Sequence, residues 1–119
     1  MRKKPVVSKK VLDKVTISRI MRTVLRHEGF HFYKELGNST GKVATNLTEF
    51  VKQLGAVDVR SVNFHFKHRD FEKWIRDVIG DADLATKLGK IRKETHGEKL
   101  RNEIVQIVKR RLDELKTGS

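Results

Sequence analysis

Hydrophobic residues recur at helical spacing in the first part of the chain and predict an amphipathic helix that begins near residue 9. The apolar positions follow the i, i+3, i+4, i+7, i+8 pattern of one helical face: Ile17, Ile20, Met21, Val24 and Leu25. Arg19, Arg22 and Arg26 lie on another face of this predicted helix. Gly29 is predicted to end or bend it.

Later segments show the same periodicity, together with residues that favour helix ends. The predicted starts and ends are, in chain order, Asn46 (a capping box with Glu49) and Gly55, Asp70 and Gly80, Asp81 or Asp83, and Thr95 (a capping box with Glu98). The sequence therefore predicts a mainly α fold, a single-domain bundle of about five helices over residues 9–119. Residues 1–8, which include Pro5, are predicted to form a flexible basic N-terminal arm.

Residues 56–68 fit two patterns. Val62, Phe64 and Phe66 alternate as in a strand, whereas Val59, Val62 and Phe66 fit a helical face. We favour a short helix that runs into an irregular turn, because a strand needs a partner and we predict no second one.

Residues 37–41, Gly-Asn-Ser-Thr-Gly, are the clearest loop pattern in the chain. With Lys42 they approach a phosphate-binding loop, but the spacing is one residue short and Val43 replaces the required Ser or Thr. Because no strand is predicted before it, we interpret this segment as a turn.

Composition narrows the class of protein. The 119 residues can form one domain with a core, and the absence of cysteine excludes disulfides and thiolate metal sites. No apolar run resembles a secretory signal or a membrane span. We therefore expect a soluble, cytoplasmic protein. The many Lys, Arg and Glu residues would suit a thermophile.

Charge is distributed unevenly along the chain. Residues 1–26 carry nine Lys or Arg against the single acid Asp13, a net +8 of the total +12. Residues 27–91 contribute +1 (ten bases, nine acids) and residues 92–119 contribute +3 (eight bases, five acids). A localised basic segment predicts a polyanionic partner.

We predict that this partner is nucleic acid, DNA or RNA, held through its phosphates. A membrane surface is the weaker interpretation because the arm lacks Trp or Phe anchors. The predicted nucleic-acid-binding residues are Arg2, Lys3, Lys4, Lys9, Lys10, Lys14, Arg19, Arg22, Arg26, Lys109, Arg110 and Arg111.

Histidines raise the question of metal chemistry. Residues 27–31 match the H-E-x-x-H pattern of zinc proteases, but Gly29 weakens the helix that this pattern needs, and no third ligand follows. We interpret His65 and His68 as hydrogen-bonded structural residues. The sequence thus predicts no metal site, no cofactor and no catalytic residues.

Aromatic residues suggest either core packing or base stacking. Phe71 and Trp74 lie on an apolar stripe and are predicted to be core. Phe30, Phe32 and Tyr33 flank a glycine, and we expect them to be partly open.

The final predicted helix has an apolar stripe that consists of Leu100, Ile104, Ile107, Val108, Leu112 and Leu115. This stripe either closes the chain's own bundle, which we favour, or forms a homodimer.

Several short segments carry a family resemblance. They are residues 30–33 (FHFY), 39–41 (STG), 47–50 (LTEF), 61–66 (SVNFHF), 69–75 (RDFEKWI) and 80–85 (GDADLA). Together they resemble a small archaeal domain family of unknown function, which occurs alone and appended to larger proteins, including carbohydrate-active enzymes. The resemblance spans about residues 30–91 and implies an archaeal source and a compact helical module, but no reaction. The arm and the final helix lie outside it, so we look there for the function of this chain.

The sequence therefore predicts a non-enzymatic nucleic-acid-binding protein that contacts phosphates through its arm and first helix. The main alternative is a protein-interaction module whose nearly neutral centre docks a partner protein.

Overall fold

A computed structural model describes residues 12–117, which form six helices and one β-hairpin. The elements are, in chain order, α1 (Lys14–Met21), a 3₁₀ turn (Arg26–Glu28), β1 (Phe30–Glu35), β2 (Asn38–Ala44), α2 (Leu47–Ala56), α3 (Val59–Lys67), α4 (Asp70–Trp74, which continues as the π-helical segment Ile75–Ile79), α5 (Ala82–Gly89) and α6 (Gly97–Thr117). The prediction of a mainly helical single domain is confirmed. The hairpin, however, was not predicted.

The long helix α6 packs against α2, α3 and α5. Its predicted apolar stripe is buried in this domain, with the exception of the half-buried Ile107. The helix therefore closes its own bundle, as we favoured, because the stripe is used within the chain. No helix within residues 12–117 is both long and apolar enough to cross a bilayer.

An aromatic cluster joins the hairpin to the helices. The ring of Phe30 lies 5.6 Å from that of Phe50 and 5.1 Å from that of Phe71, measured between centroids. Trp74 packs 5.3 Å from Phe50 and donates its indole N–H to the Glu28 carbonyl at 2.8 Å. Phe71 and Trp74 are buried, as predicted. The prediction that Phe30 and Phe32 are partly open is wrong, because both face this core.

The antiparallel hairpin occupies a region that we had predicted to be a loop. Its register pairs Phe30 with Ala44 and His31 with Val43, and then Tyr33 with Ser39. Three residues of β2 therefore oppose the single residue Phe32, a bulge that accommodates the left-handed Gly41 (φ +80°). Residues 36–37 form the turn, so the interpretation of residues 37–41 as a turn with no strand before it is wrong for residues 38–41, which belong to β2, and holds only for Gly37.

Helix α1 is shorter than predicted. Asp13 caps it by accepting from the Thr16 amide at 2.8 Å, and it ends at Met21. The C-cap residue Arg22 is extended, and beyond it Val24 donates its amide to the Thr45 carbonyl at 2.8 Å, so the helix ends well before Gly29. Residues 9–11 of the predicted helix and the predicted arm, residues 1–8, lie outside the described residues.

Gly29 instead permits a close approach between chain segments. A Cβ at this position would lie 2.8 Å from the Ala44 carbonyl oxygen, so a side chain there would push the 3₁₀ turn away from β2.

The predicted helix ends were partly correct. Asn46 caps α2 and Asp81 caps α5 through their side chains, and the left-handed Gly80 (φ +88°) ends the π-helical segment. Residues 56–68 contain the predicted short helix, α3. The other predicted ends are wrong. Helix α2 continues through Gly55 to Ala56, and the N-cap of α4 is Arg69, not Asp70. Helix α6 begins at Gly97 and not at Thr95, and Glu98 pairs with Arg101 in place of the predicted capping box.

Candidate functional site

Three of the predicted nucleic-acid-binding residues, Arg19, Arg22 and Arg111, meet at residues 78–81, which we call the 78–81 turn. This turn begins with the last two residues of the π-helical segment, Val78 and Ile79, whose carbonyls lack helical partners. Arg22 donates from Nη1 to the Ile79 carbonyl at 3.0 Å and from Nη2 to the Val78 carbonyl. Arg19 donates from Nη2 to the Gly80 carbonyl at 3.3 Å. These two arginines therefore attach α1 to the turn.

Arg111 reaches the same turn from α6. Its Nε and Nη2 atoms donate to the two carboxylate oxygens of Asp81 at 2.7 and 3.0 Å, and Nη1 donates to Glu114 at 3.0 Å. The Arg111 side chain is only 7% exposed. Burial opposes its charge, but the bonds to Asp81 outweigh burial and raise the pKa of Arg111 further above its usual range. Arg111 thus holds α6 to the turn, and its guanidinium is occupied.

The remaining predicted phosphate contacts lie at the surface. Lys14, Arg26, Lys109 and Arg110 are exposed and form no ion pair with a carboxylate within residues 12–117. Arg19 and Arg22 are exposed as well, and a guanidinium that donates to carbonyls keeps its full positive charge. The other predicted contacts lie outside the described residues; they are Arg2, Lys3, Lys4, Lys9 and Lys10.

His65 is the centre of a buried hydrogen-bond network. Its Nε2 accepts from the Tyr33 amide at 2.8 Å, so its proton lies on Nδ1, which donates to Asp70 at 2.8 Å. Burial lowers the pKa of His65, although Asp70 works in the opposite direction. Both ring nitrogens are therefore used to join β1 to α3 and α4. His68, the other histidine interpreted as structural, contacts the Phe64 carbonyl through Nδ1 at 2.7 Å.

The H-E-x-x-H residues do not lie on one helix. His27 and Glu28 belong to the 3₁₀ turn, whereas His31 lies in β1. Glu28 accepts from the Leu25 amide at 3.2 Å, and His31 Nε2 lies 3.1 Å from the Arg26 carbonyl oxygen. Within residues 12–117 no three His, Asp or Glu side chains cluster as a metal site would require.

A cleft of about 480 Å³ lies between the α3–α4 junction, the end of α5 and the segment before α6. Its residues include the apolar Phe66, Leu88 and Ile91 and the cations Lys67, Arg69 and Lys93. We did not predict this site, because the sequence places Lys93 more than twenty positions from the other two cations. The sequence contains no motif that would have identified it.

Arg69 has the only left-handed backbone among the non-glycine residues of segment 12–117, with φ +61°. Such a conformation is unfavourable for a residue with a Cβ and occurs often at functional sites. This feature is also invisible in the sequence, which has an Arg where Gly or Asn would signal the conformation.

Comparison with known proteins gives one similarity. Residues 67–119 match the model of a family of unknown function, DUF5752. No curated protein and no solved structure matches the chain significantly. The prediction of similarity to a family of unknown function is confirmed at this level, but the matched segment includes α6, which we had predicted to lie outside it. All residues that line the cleft, apart from Asn63 and Phe66, fall within the matched segment.

Proposed function

We propose that this chain is a non-enzymatic nucleic-acid-binding protein that contacts the phosphate backbone of DNA or RNA. The observation that carries the proposal is the net charge of +8 on residues 1–26. Cations that replace condensed counterions on a nucleic acid provide affinity that does not depend on sequence and that weakens with salt. Lys14, Arg19, Arg22 and Arg26, together with the arm that precedes them, form the basic surface of this proposal.

The attachment of α1 to the 78–81 turn supports this surface. Arg19 and Arg22 place positive charge at carbonyls that carry the partial negative charge of a helix C-terminus. Because these contacts are to carbonyls, each guanidinium keeps a full charge for longer-range attraction to phosphate. Lys109 and Arg110 provide a second patch on the helix that Arg111 holds to the same turn. We leave Arg111 out of the proposed contacts because it is buried against Asp81.

The proposal is tested by fluorescence anisotropy with single- and double-stranded DNA and RNA at two salt concentrations. The test variant is Lys14→Glu with Arg26→Glu, because neither side chain forms a hydrogen bond or ion pair within residues 12–117. The matched control is Lys52→Glu with Lys99→Glu, which makes the same change in net charge at two exposed lysines of α2 and α6.

We expect the test variant to bind about tenfold or more weakly, with a salt slope shallower by about two, since roughly one counterion is released for each phosphate contact. The control variant is expected to bind nearly as the unmodified chain does. Equal affinities and equal slopes for the two variants would contradict the proposed surface.

A second experiment tests the contribution of the N-terminal segment to nucleic-acid binding. Deletion of residues 1–11 is expected to weaken binding and reduce its salt slope further. The deletion must stop before Asp13, because the Asp13 carboxylate caps α1.

A protein-interaction module is the second candidate, and the hairpin supports it. Leu36 at the hairpin turn is 92% exposed and lies beside a groove of about 500 Å³ whose lining includes Tyr33 and Phe64. Absence of nucleic-acid binding at micromolar protein and low salt would favour this candidate. The homodimer is not needed in either case, because the α6 stripe is buried in its own domain. A cytoplasmic location and a thermophilic archaeal source remain predictions.

A further inference from the structure

The cleft at the α3–α4 junction combines an apolar floor with a charged rim. Phe66, Leu88 and Ile91 provide carbon surface, and Phe66 is only partly buried. The volume of about 480 Å³ lies within the range typical of small-molecule sites. A ligand that fits here therefore needs one apolar portion of modest size.

The charges of this cleft favour an anion. Its two acids are each paired with an arginine: Glu72 with Arg76 at 3.5 Å and Glu94 with Arg92 at 3.3 Å. The three cations of the cleft, Lys67, Arg69 and Lys93, form no ion pair with a carboxylate within residues 12–117. Three uncompensated positive charges around one opening are the arrangement that a phosphate group would neutralise.

Arg69 gives the strongest indication of a ligand. Its left-handed backbone is unfavourable for a side chain with a Cβ, so Gly or Asn would fit the position at lower free energy. Its guanidinium makes no hydrogen bond to any other residue of segment 12–117. Its backbone amide donates to the Phe66 carbonyl, and its backbone carbonyl accepts from the Lys73 amide. The side chain therefore does not contribute to the fold through hydrogen bonds, and its guanidinium donors are free of protein partners within residues 12–117.

A polar wall completes the site. The Oδ1 atom of Asn63 accepts from the Gly97 amide at 2.8 Å, which fixes the side-chain amide and leaves its NH₂ group as a donor. Thr95 and His96 also line the cleft and offer further hydrogen-bonding groups. Donors and acceptors beside an aromatic ring are the groups that recognise a nucleobase.

We propose that this cleft binds a nucleoside phosphate. The phosphate lies among Lys67, Arg69 and Lys93, the base lies on Phe66, and Asn63 donates a hydrogen bond to the base. This site is distinct from the basic surface of α1, and it lies mostly in the segment that matches the family of unknown function. Its existence does not depend on the proposed polynucleotide binding.

The experiment measures binding of ADP, adenosine and inorganic pyrophosphate to the full chain by calorimetry, with ¹⁵N NMR to locate the site. We expect ADP to bind about tenfold or more tightly than either adenosine or pyrophosphate, because only ADP engages both the apolar and the cationic parts. The amide signals of Gly89 and Gly97 should move during the ADP titration. No binding of ADP at millimolar concentration, or equal binding of pyrophosphate and ADP, would overturn the proposal.

The decisive variant is Arg69→Gly. Glycine suits the left-handed backbone, so this variant is expected to have an unchanged or higher melting temperature while it binds ADP about tenfold more weakly. Lys93→Gln should also weaken ADP binding, whereas its control, Lys90→Gln, should not, because Lys90 is exposed and does not line the cleft. ADP binding that survives in both Arg69→Gly and Lys93→Gln would refute the site.

Competition with a single-stranded oligonucleotide identifies the source of the nucleotide. Displacement of ADP would indicate that the cleft takes a nucleotide of a strand, and no displacement would indicate a free nucleotide; each result supports the nucleoside-phosphate site. Weak polynucleotide binding in the Lys14→Glu, Arg26→Glu variant with intact ADP binding would separate the two proposals.

Discussion

Arginines lie at both ends of the helical segment that spans residues 70–79, but their contacts at the two ends differ. At the C-terminal end, Arg19 and Arg22 donate to free carbonyls, where positive charge and hydrogen bonding both stabilise the fold. At the N-terminal end, Arg69 has an unfavourable backbone conformation and no side-chain hydrogen bond within the described residues. Arg19 and Arg22 therefore stabilise the fold in addition to their place in the proposed basic surface, whereas the Arg69 side chain adds no hydrogen bond to the fold, as its proposed role toward a ligand predicts.

The largest expected effect lies at the C-terminal end. Asp81→Ala would leave the buried Arg111 guanidinium without its main carboxylate partner and would remove the cap of α5. We expect a loss of roughly 3–5 kcal/mol in the free energy of unfolding, measured by urea denaturation. Adding Arg111→Met should recover part of this loss, because it removes the unpaired charge. A loss below about 1 kcal/mol for Asp81→Ala would show that the Arg111–Asp81 ion pair does not stabilise the contact between α6 and the 78–81 turn.

Arg22→Ala tests whether the exposed arginines of α1 are structural. The variant loses the side-chain donor to the Val78 and Ile79 carbonyls, so we expect a destabilisation of about 1 kcal/mol. Arg26→Ala is the control, with an expected effect within about 0.5 kcal/mol, since its side chain forms no hydrogen bond within residues 12–117. Equal losses in the free energy of unfolding for the two variants would show that the contacts of Arg22 to the Val78 and Ile79 carbonyls do not stabilise the fold.

Arg69→Gly tests the opposite end by the same measurement. Relief of the left-handed conformation should outweigh the extra freedom of an unfolded glycine, which leaves the free energy of unfolding unchanged or raised by up to roughly 1 kcal/mol. Urea denaturation in the absence of any ligand measures this directly. A clear destabilisation would mean that Arg69 is structural, and the two ends would then be alike.

The smallest expected effect is a pH dependence at the N-terminal end, where His65 contacts Asp70. Because burial lowers the pKa of His65 in the folded state, the unfolded chain binds this proton more readily. The contribution of His65 to stability is therefore complete above its ordinary pKa of about 6.5 and decreases as the pH falls below it. Denaturation midpoints at several pH values should show this decrease in the His68→Gln variant but not in His65→Gln. A decrease of equal size in both would assign the pH dependence to other groups.

Local sequence rules predicted those parts of the fold that depend on neighbouring residues. The caps at Asn46 and Asp81 and the end at Gly80 are such cases, since each depends on bonds within one turn. The hairpin was missed because β2 is mostly polar and its bulge at Gly41 interrupts any alternation. Its first strand is recognisable only once Phe30 and Phe32 are known to face the core.

The sites depend on contacts that a linear pattern cannot contain. The role of Arg22 is set by carbonyls 56 and 57 positions away, and that of Arg111 by an acid 30 positions away. The excess charge of residues 1–26 was readable from the sequence. The sequence did not show that Arg19 and Arg22 donate to carbonyls of the fold while the Arg26 side chain forms no hydrogen bond within residues 12–117. The cleft needed Lys67, Arg69 and Lys93 to be brought together by folding.

The Tyr33 amide of β1 donates to the ring of His65, so this side chain takes the place that a third strand would have beside the two-stranded sheet. A two-stranded hairpin alone is marginal in water, and here one ring nitrogen supplies the acceptor that a neighbouring strand would have offered. Any covalent or metal occupant of that nitrogen would remove the acceptor and leave the strand amide without a partner. Chemical modification of His65 Nε2, a side-chain atom on α3, would thus break a main-chain hydrogen bond of β1.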